Sequence, residues 1–118
     1  MVPYEFILDL LYPLPILTKK MFGTEAIYVE DKIVLALRQR NDNPIDNGVW
    51  IATKVDYHNE LKQLFPSLRN IRTYGIKAWL LLPETALDFE ETANSIVEMI
   101  KSGNPLIGTV PKGRKKKP

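Results

Sequence analysis

The stretch that decides the fold runs from residue 17 to residue 40 and reads LTKKMFGTEAIYVEDKIVLALRQR. From residue 32 onward, side-chain character alternates with a period of two. One face of this predicted strand carries Ile33, Leu35 and Leu37. The opposite face carries Lys32, Val34, Ala36, Arg38 and Arg40. Alternation of this kind is typical of a half-buried β-strand.

Two short connections divide the stretch into a predicted meander. Glu30-Asp31 separates two strand-like runs, so we expect a hairpin there. Met21, Phe22 and Gly23 form the earlier connection, where a turn or a bulge is expected. Glycine adopts positive φ without steric cost, which suits Gly23 to a chain reversal.

The same residues carry a resemblance to a known family. The run Lys20-Met21-Phe22-Gly23, followed by Tyr28 and the acidic turn Glu30-Asp31, resembles the start of the TfoX N-terminal domain family. Thr24 stands where that family typically has a second glycine.

The second half of the chain is similar to the related YjbR (MmcQ) family. The similarity lies in Lys54-Val55-Asp56, in Tyr74 and Trp79, and in a closing helix that ends at Ser102. Together the two resemblances cover the chain from about residue 3 to about residue 111. They imply a small α-β-α fold, a link to competence regulation, and possible DNA binding.

Composition narrows the class of protein. A chain of 118 residues fits one domain, and its 45% hydrophobic and 25% charged residues are ordinary globular values. It contains no cysteine, which excludes disulfides and thiolate chemistry. Its apolar runs are shorter than a membrane span, and no basic-then-apolar secretory signal begins it. We therefore expect a cytoplasmic protein without membrane association.

The remaining elements follow from periodicity and from prolines that bracket them. The predicted helices cover residues 3–12 and 57–65 and a segment capped by Asp88 and Glu91, and further strands cover 49–55, 69–74 and 76–82. The order is α-β-β-β-β-α-β-β-α. Because few strands are joined by helical crossovers, we predict an α+β domain with a largely antiparallel sheet of five to six strands and helices on one face.

Charge is distributed unevenly along the chain. The predicted domain covers residues 1–111, and the basic tail, residues 112–118, is predicted to be disordered. Without the five tail cations, 11 of the 16 basic residues remain against 14 acidic residues. The tail either contributes weak, salt-sensitive binding to nucleic acid or an acidic partner, or is a solubilising end.

No catalytic constellation is recognisable. His58 is the only histidine and has no paired acid or metal-ligand spacing around it, so we interpret it as a surface residue with a satisfied ring. The glycines form no phosphate-binding loop. We therefore expect a protein that is not an enzyme and that has no cofactor and no metal.

Aromatic and basic residues supply the candidate binding site. Aromatics interleaved with arginine on a sheet can stack bases, although the same pattern also describes a core with a solvated face. The candidates for binding nucleic acid or a partner are Arg38, Arg40, Lys54, Arg72, Trp50, Trp79, Arg114, Lys115, Lys116 and Lys117.

Three functions remain open on sequence alone. The first is a non-catalytic regulatory or macromolecule-binding domain that binds DNA weakly. The second is a protein–protein interaction module that uses the open face of the sheet, without nucleic acid. The third is a small-molecule binder with a pocket lined by Trp50 and Trp79. The partner and the oligomeric state are left open.

Overall fold

The computed structural model describes residues 2–73 and 75–110. The helices in this part of the chain are α1 (Phe6–Leu11), α2 (His58–Leu64) and α3 (Phe89–Lys101). The strands are β1 (Ile16–Met21), β2 (Thr24–Val29), β3 (Lys32–Arg38), β4 (Gly48–Ile51), β5 (Arg69–Asn70) and β6 (Leu80–Pro83). Short 3₁₀ helices cover Pro44–Asp46 and Val55–Tyr57. The element order is the predicted one.

The strands form one antiparallel sheet in the order β1-β2-β3-β4-β6-β5. Apolar side chains from all three helices pack in one cluster with residues from one side of this sheet, which we call the helix face. The opposite side, the far face, includes the cross-strand row Lys19, Ala26, Ala36, Trp50, Leu81 and Arg69. The predicted α+β class, with helices on one face of the sheet, is confirmed.

The turn between β1 and β2 consists of Phe22 and Gly23. Met21 pairs with Thr24 to close it, and the Thr24 hydroxyl donates a hydrogen bond to the Met21 carbonyl. Both central residues have positive φ, 49° at Phe22 and 75° at Gly23. Two positive φ values are typical of the type I′ turn, whose twist matches that of the flanking strands. The glycine turn predicted here is confirmed.

A bulge in β3 changes the face on which Ile33 lies. Ile27 pairs with Leu35, whereas the next residue of β2, Tyr28, pairs with Ile33, so Val34 is the extra residue. Ile33 packs with Tyr28 on the far face, and Val34 joins the helix-face core. The prediction that Ile33 shares a face with Leu35 is therefore wrong, because alternation alone does not reveal an inserted residue.

Apolar side chains of the helices and strands form a buried core on the helix face. The helices contribute the buried residues Ile7, Leu11, Leu61, Ala93, Ile96, Val97 and Ile100. The 3- and 4-residue spacing within α3 brings its apolar residues onto one stripe. The strands contribute Ile27, Leu35, Leu37, Val49, Ile51, Leu80 and Leu82. Each fully buried side chain of this size stabilises the fold by roughly 1.5–3 kcal/mol.

The predicted strand pair over residues 69–74 and 76–82 is much shorter in the structure. Only the two residues of β5 and the four of β6 remain in the sheet. The backbone N–H groups of Arg72 and Thr73 donate to the carboxylate of Asp46 instead. A donor that is bonded to a side chain cannot join a strand ladder, so β5 ends, and residues 71–73 and 75–79 lie outside the sheet.

The ends of α3 follow the sequence in part. Asp88 precedes the helix, but its carboxylate accepts hydrogen bonds from the hydroxyls of Ser67 and Thr92 and caps no backbone N–H. The predicted capping box is therefore wrong. Gly103 follows the end of α3 with a φ of 74°, as predicted. The Gly103 N–H donates to the Ile100 carbonyl and the Asn104 N–H donates to the Met99 carbonyl, which is the hydrogen bonding of a glycine-terminated helix.

The last described residues fasten the chain end to the sheet. Thr109 exchanges both backbone hydrogen bonds with Ile33, and the Gly108 N–H donates to the Ala52 carbonyl at 2.7 Å. The Thr53 hydroxyl donates to the carbonyl of Leu106. These bonds continue the pairing of β3 beyond the point where β4 ends.

Candidate functional site

The far face of the sheet is lined by small residues at its middle. Ala26 pairs with Ala36, and both are fully buried. Trp79 packs against the far-face clusters that contain these two alanines. Because alanine side chains are short, they leave room above the sheet for the large side chain of Trp79.

The irregular segment 71–79, of which residues 71–73 and 75–79 are described, covers this part of the far face incompletely. Ile71 is buried against Trp50 and Leu81, while Ile76 and Trp79 are half-buried at the edge of the same cluster. The His58 ring donates through Nε2 to the Ala78 carbonyl at 2.6 Å, which ties the segment to the start of α2. His58 therefore has the satisfied ring predicted for it.

A cavity remains between segment 71–79 and the first turn. Its lining is apolar and consists of Met21, Phe22, Trp50, Ile76 and Trp79. Its volume is about 230 Å³. Cavities that hold small organic ligands are usually larger, on the order of 300–1,000 Å³. This cavity therefore suits a single inserted side chain better than a whole ligand.

Phe22 forms the outer wall of this cavity. Its ring is 69% exposed, although it is one of the largest apolar side chains in the chain. It also occupies a turn position with a φ of 49°, where glycine, asparagine or aspartate is usual. Leu17, on the same face of β1, is a further exposed apolar residue at 57%. Met21, Phe22, Ile76 and Trp79 line the cavity around the buried Trp50, and we call these four residues the apolar rim of the far face.

Arg38 is not available to a partner. Its side chain is fully buried, and its guanidinium donates to the backbone carbonyls of Asp42 and Asn43 and to Asn47 Oδ1. The structure therefore corrects the prediction that Arg38 binds nucleic acid or a partner. The guanidinium instead organises the β3–β4 loop, which folds over the end of β3.

Trp50 is also unavailable as a stacking platform. It is fully buried, and its indole N–H donates to the Asp46 carbonyl at 2.9 Å. The structure therefore corrects the prediction that Trp50 binds bases or a partner directly. Trp50 instead forms the floor of the apolar cavity, beside the half-exposed Trp79.

Asp46 fastens segment 71–79 to the β3–β4 loop. Its buried carboxylate accepts hydrogen bonds from the Thr73 hydroxyl and from the N–H groups of Arg72 and Thr73. The Arg69 guanidinium lies 3.4 Å away and also donates to the Ile45 carbonyl. Burial alone would raise the pKa of Asp46, but these donors outweigh it and hold the pKa below its usual value.

The sequence carries no signal for this arrangement. Asp46 and Asn47 lie in the polar run Asn43-Pro44-Ile45-Asp46-Asn47-Gly48, whose composition is typical of a surface turn. Both residues are nevertheless buried. Their side-chain partners include Arg38 on β3, Arg69 on β5 and residues of segment 71–79, and the positions of distant partners cannot be read from local composition.

The remaining basic candidates among the described residues are exposed at the surface. The Arg40 Nε donates to Asp42 at 2.7 Å, and this exposed pair lowers the pKa of Asp42. Lys54 and Arg72 are exposed as well. The candidates Arg114, Lys115, Lys116 and Lys117 lie outside the described residues, so their role stays a prediction.

Two other kinds of site are absent from the described part of the chain. Within residues 2–73 and 75–110, no group of three or more potential ligands could hold a metal ion. In the same residues, no helix is long and apolar enough to cross a bilayer.

Tyr4 has a structural role. Burial and a hydrogen bond to Glu84 raise the pKa of Tyr4, and its hydroxyl also bonds to the Arg38 carbonyl.

Comparisons of the chain with protein-family models, curated proteins and solved structures find no match. The resemblance to the TfoX N-terminal and YjbR families therefore stays a prediction. The geometry of the far face is the remaining guide to function.

Proposed function

We propose that this chain is a non-catalytic, cytoplasmic protein–protein interaction domain that binds its partner through the apolar rim of the far face. Phe22, Met21 and Trp79 would contact the partner, and the cavity between them would receive one of its apolar side chains. A large aromatic at a half-open pocket is the usual composition of an interface hot spot.

The observation that carries the proposal is the placement of Phe22. An exposed aromatic gains little from burial, and a residue at positive φ is strained by about 1–2 kcal/mol relative to glycine. Neither folding nor turn geometry therefore favours phenylalanine at this position. Residues that break local rules in this way are expected at functional sites.

The structure offers less support for nucleic acid on the sheet. Two of the predicted sheet candidates, Arg38 and Trp50, are buried, so a strip of stacked bases would lack its central contacts. Arg40 is paired with Asp42, which reduces its local positive charge. Exposed apolar surface, by contrast, marks protein interaction sites.

The test is capture of partners by the intact chain and by three variants. Phe22→Ala and Trp79→Ala each remove a large aromatic ring from the lining of the cavity. Leu87→Ala is the matched control, because Leu87 is a fully exposed apolar residue outside the cavity. We expect one or more proteins, identified by mass spectrometry after cross-linking, to be lost from both cavity variants and retained by the control.

Binding of duplex DNA is measured in parallel by mobility shift. The proposal fails if the captured proteins are the same for all variants. It also fails if DNA binds and Arg40→Ala with Lys54→Ala weakens that binding while Phe22→Ala does not. In that case the exposed cations, rather than the apolar rim, are the functional surface.

A further inference from the structure

Strand β1 lies at the edge of the sheet, next to the proposed site. Among the described residues its backbone pairs only with β2. An edge strand presents unpaired N–H and C=O groups along its outer side, which can pair with an added strand. β1 is six residues long, a typical strand length, so a short extended segment could pair along all of it.

The direction of these backbone groups follows from the turn. Met21 and Thr24 close the two-residue turn and therefore form a hydrogen-bonded pair. Hydrogen-bonded and non-hydrogen-bonded pairs alternate along an antiparallel ladder, which directs the N–H and C=O groups of Thr18 and Lys20 away from β2. An added strand would pair with these groups.

The side chains of β1 determine which segment fits. Lys19 is exposed on the far face, with its Nζ 5.5 Å from the Tyr28 ring centroid. The Lys20 side chain is 84% exposed on the other side of the strand, and its Nζ lies 3.6 Å from Oε1 of Glu25 on β2. It lines a depression that Arg40 also lines. Consecutive residues of an added strand would thus face one lysine on each side of the sheet.

We infer that β1 binds an acidic, extended segment of a partner protein as a seventh strand, with an apolar side chain of that segment inserted in the cavity beside Met21. This inference rests on the proposed function and specifies its partner. Acidic residues opposite Lys19 and Lys20 form favourable cross-strand pairs. Met21 ends β1 and lines the cavity, so strand and cavity form one continuous site.

A second copy of this chain is a poorer occupant. In a two-fold antiparallel pair of β1 strands, paired residues lie on the same face of the sheet. The register that brings Leu17 opposite Met21 sets Lys19 directly against its own copy. Lysines on an edge strand oppose self-pairing in this way. Charge therefore favours an acidic partner over a dimer.

The test uses the full chain and a fluorescein-labelled peptide, Phe-Val-Glu-Glu-Thr-Val, followed by fluorescence anisotropy. We expect saturable binding that weakens about tenfold when both glutamates are replaced by lysine, since two attractive cross-strand pairs become repulsive. The variant Lys19→Glu with Lys20→Glu should reverse this preference and bind the lysine peptide better. Circular dichroism checks that the variant is folded.

Backbone pairing is tested separately. N-methylation of alternate peptide residues, on the edge that would face β1, should weaken binding about tenfold, because each methyl group removes a hydrogen-bond donor. N-methylation on the opposite edge is the matched control and should leave affinity unchanged. These experiments leave the protein unaltered, so they remain decisive if the lysine variant fails to fold.

Each other outcome overturns the inference in a distinguishable way. Binding that requires Phe22 and Trp79 but ignores peptide charge and N-methylation overturns the strand addition and leaves the proposed function intact. Absence of peptide binding together with a concentration-dependent dimer in sedimentation assigns β1 to a second copy. Absence of both peptide binding and dimer formation overturns the acidic-strand inference, while the capture experiment with Phe22→Ala still tests the proposed function.

Discussion

The two faces of the sheet are covered in different ways. Three regular helices cover the helix face, and their apolar stripes meet a continuous layer of large aliphatic side chains. The far face is covered in the described part of the chain by the irregular segment 71–79, which Asp46 and His58 hold, and by the β3–β4 loop, which Arg38 holds. Packed apolar side chains bury the helix face, whereas irregular segments held by a few polar hydrogen bonds cover part of the far face.

This difference separates stability from binding within one small domain. The helix face buries its apolar residues almost completely, so its surface is not available to a partner. The far face keeps Phe22 exposed and Trp79 half-buried beside a cavity. Since apolar surface stabilises the fold only when it is buried, we expect substitutions on the two faces to have very different effects.

The largest effect is expected on the helix face. Leu35→Ala removes a side chain that is 1% exposed and should lower the free energy of unfolding by about 4 kcal/mol. Met21→Ala, at the half-exposed far-face cavity, should cost about 1 kcal/mol. Urea denaturation of both variants tests the comparison. Equal losses would mean that the far face is packed as tightly as the helix face.

The next-largest loss of stability is expected at the pairing of β4 with β6, two strands that carry side chains of both faces. Gly48 has a φ of 145°, and a Cβ there would lie 2.1 Å from the Leu82 carbonyl oxygen. Backbone cannot move aside without separating the strands, so Gly48→Ala should cost about 3 kcal/mol. Gly103→Ala is the control, because it meets only open space and should cost about 1 kcal/mol of φ strain. Thermal unfolding with similar losses for both would contradict this account.

The attachment of segment 71–79 should depend on pH. Asp46→Asn removes charge from a buried acceptor and should cost about 2 kcal/mol near neutral pH, as for hydrogen bonds to charged groups. Because the folded state lowers the pKa of Asp46, its contribution is present above the ordinary carboxyl pKa of about 4 and is lost as pH falls through the lowered value.

The difference between wild type and Asp46→Asn should therefore shrink in acid. Urea unfolding of both proteins at neutral pH and at a pH of about 2 measures it. Asp31→Asn is the matched control, because Asp31 is exposed in the turn between β2 and β3, so its replacement should leave stability nearly unchanged. A gap that persists unchanged in acid would show that Asp46 acts through shape rather than charge.

The sequence predicts the helix face better than the far face for a physical reason. Periodicity reports which side of an element is apolar, and this is sufficient for β3 from Leu35 onward and for α3. It does not report an inserted residue, so it places Val34 and Ile33 on the wrong faces. It also does not report that a side chain such as Asp46 takes backbone donors from a distant segment.

Local sequence patterns also fail to place some residues of the candidate site, for the same reason. Arg38 alternates with apolar residues as a surface arginine would, yet the β3–β4 loop folds over it and supplies three acceptors. Burial of this kind depends on loop geometry that local residues do not specify. The sequence predicts Trp79 at the binding site, and Trp79 does line the cavity, whereas it predicts Phe22 only as part of a turn.

Apart from the controls, the smallest effect on stability should come from Phe22, and it is the most informative. In Phe22→Gly, relief of strain at a φ of 49° gains about 1–2 kcal/mol. The greater freedom of glycine in the unfolded chain, together with the loss of the partly buried ring, offsets a similar amount. Stability should therefore change by less than about 1 kcal/mol in urea unfolding, while partner capture is lost. A loss of more than about 2 kcal/mol would instead assign Phe22 a structural role, since only substantial burial contributes that much, and the far face would then serve folding just as the helix face does.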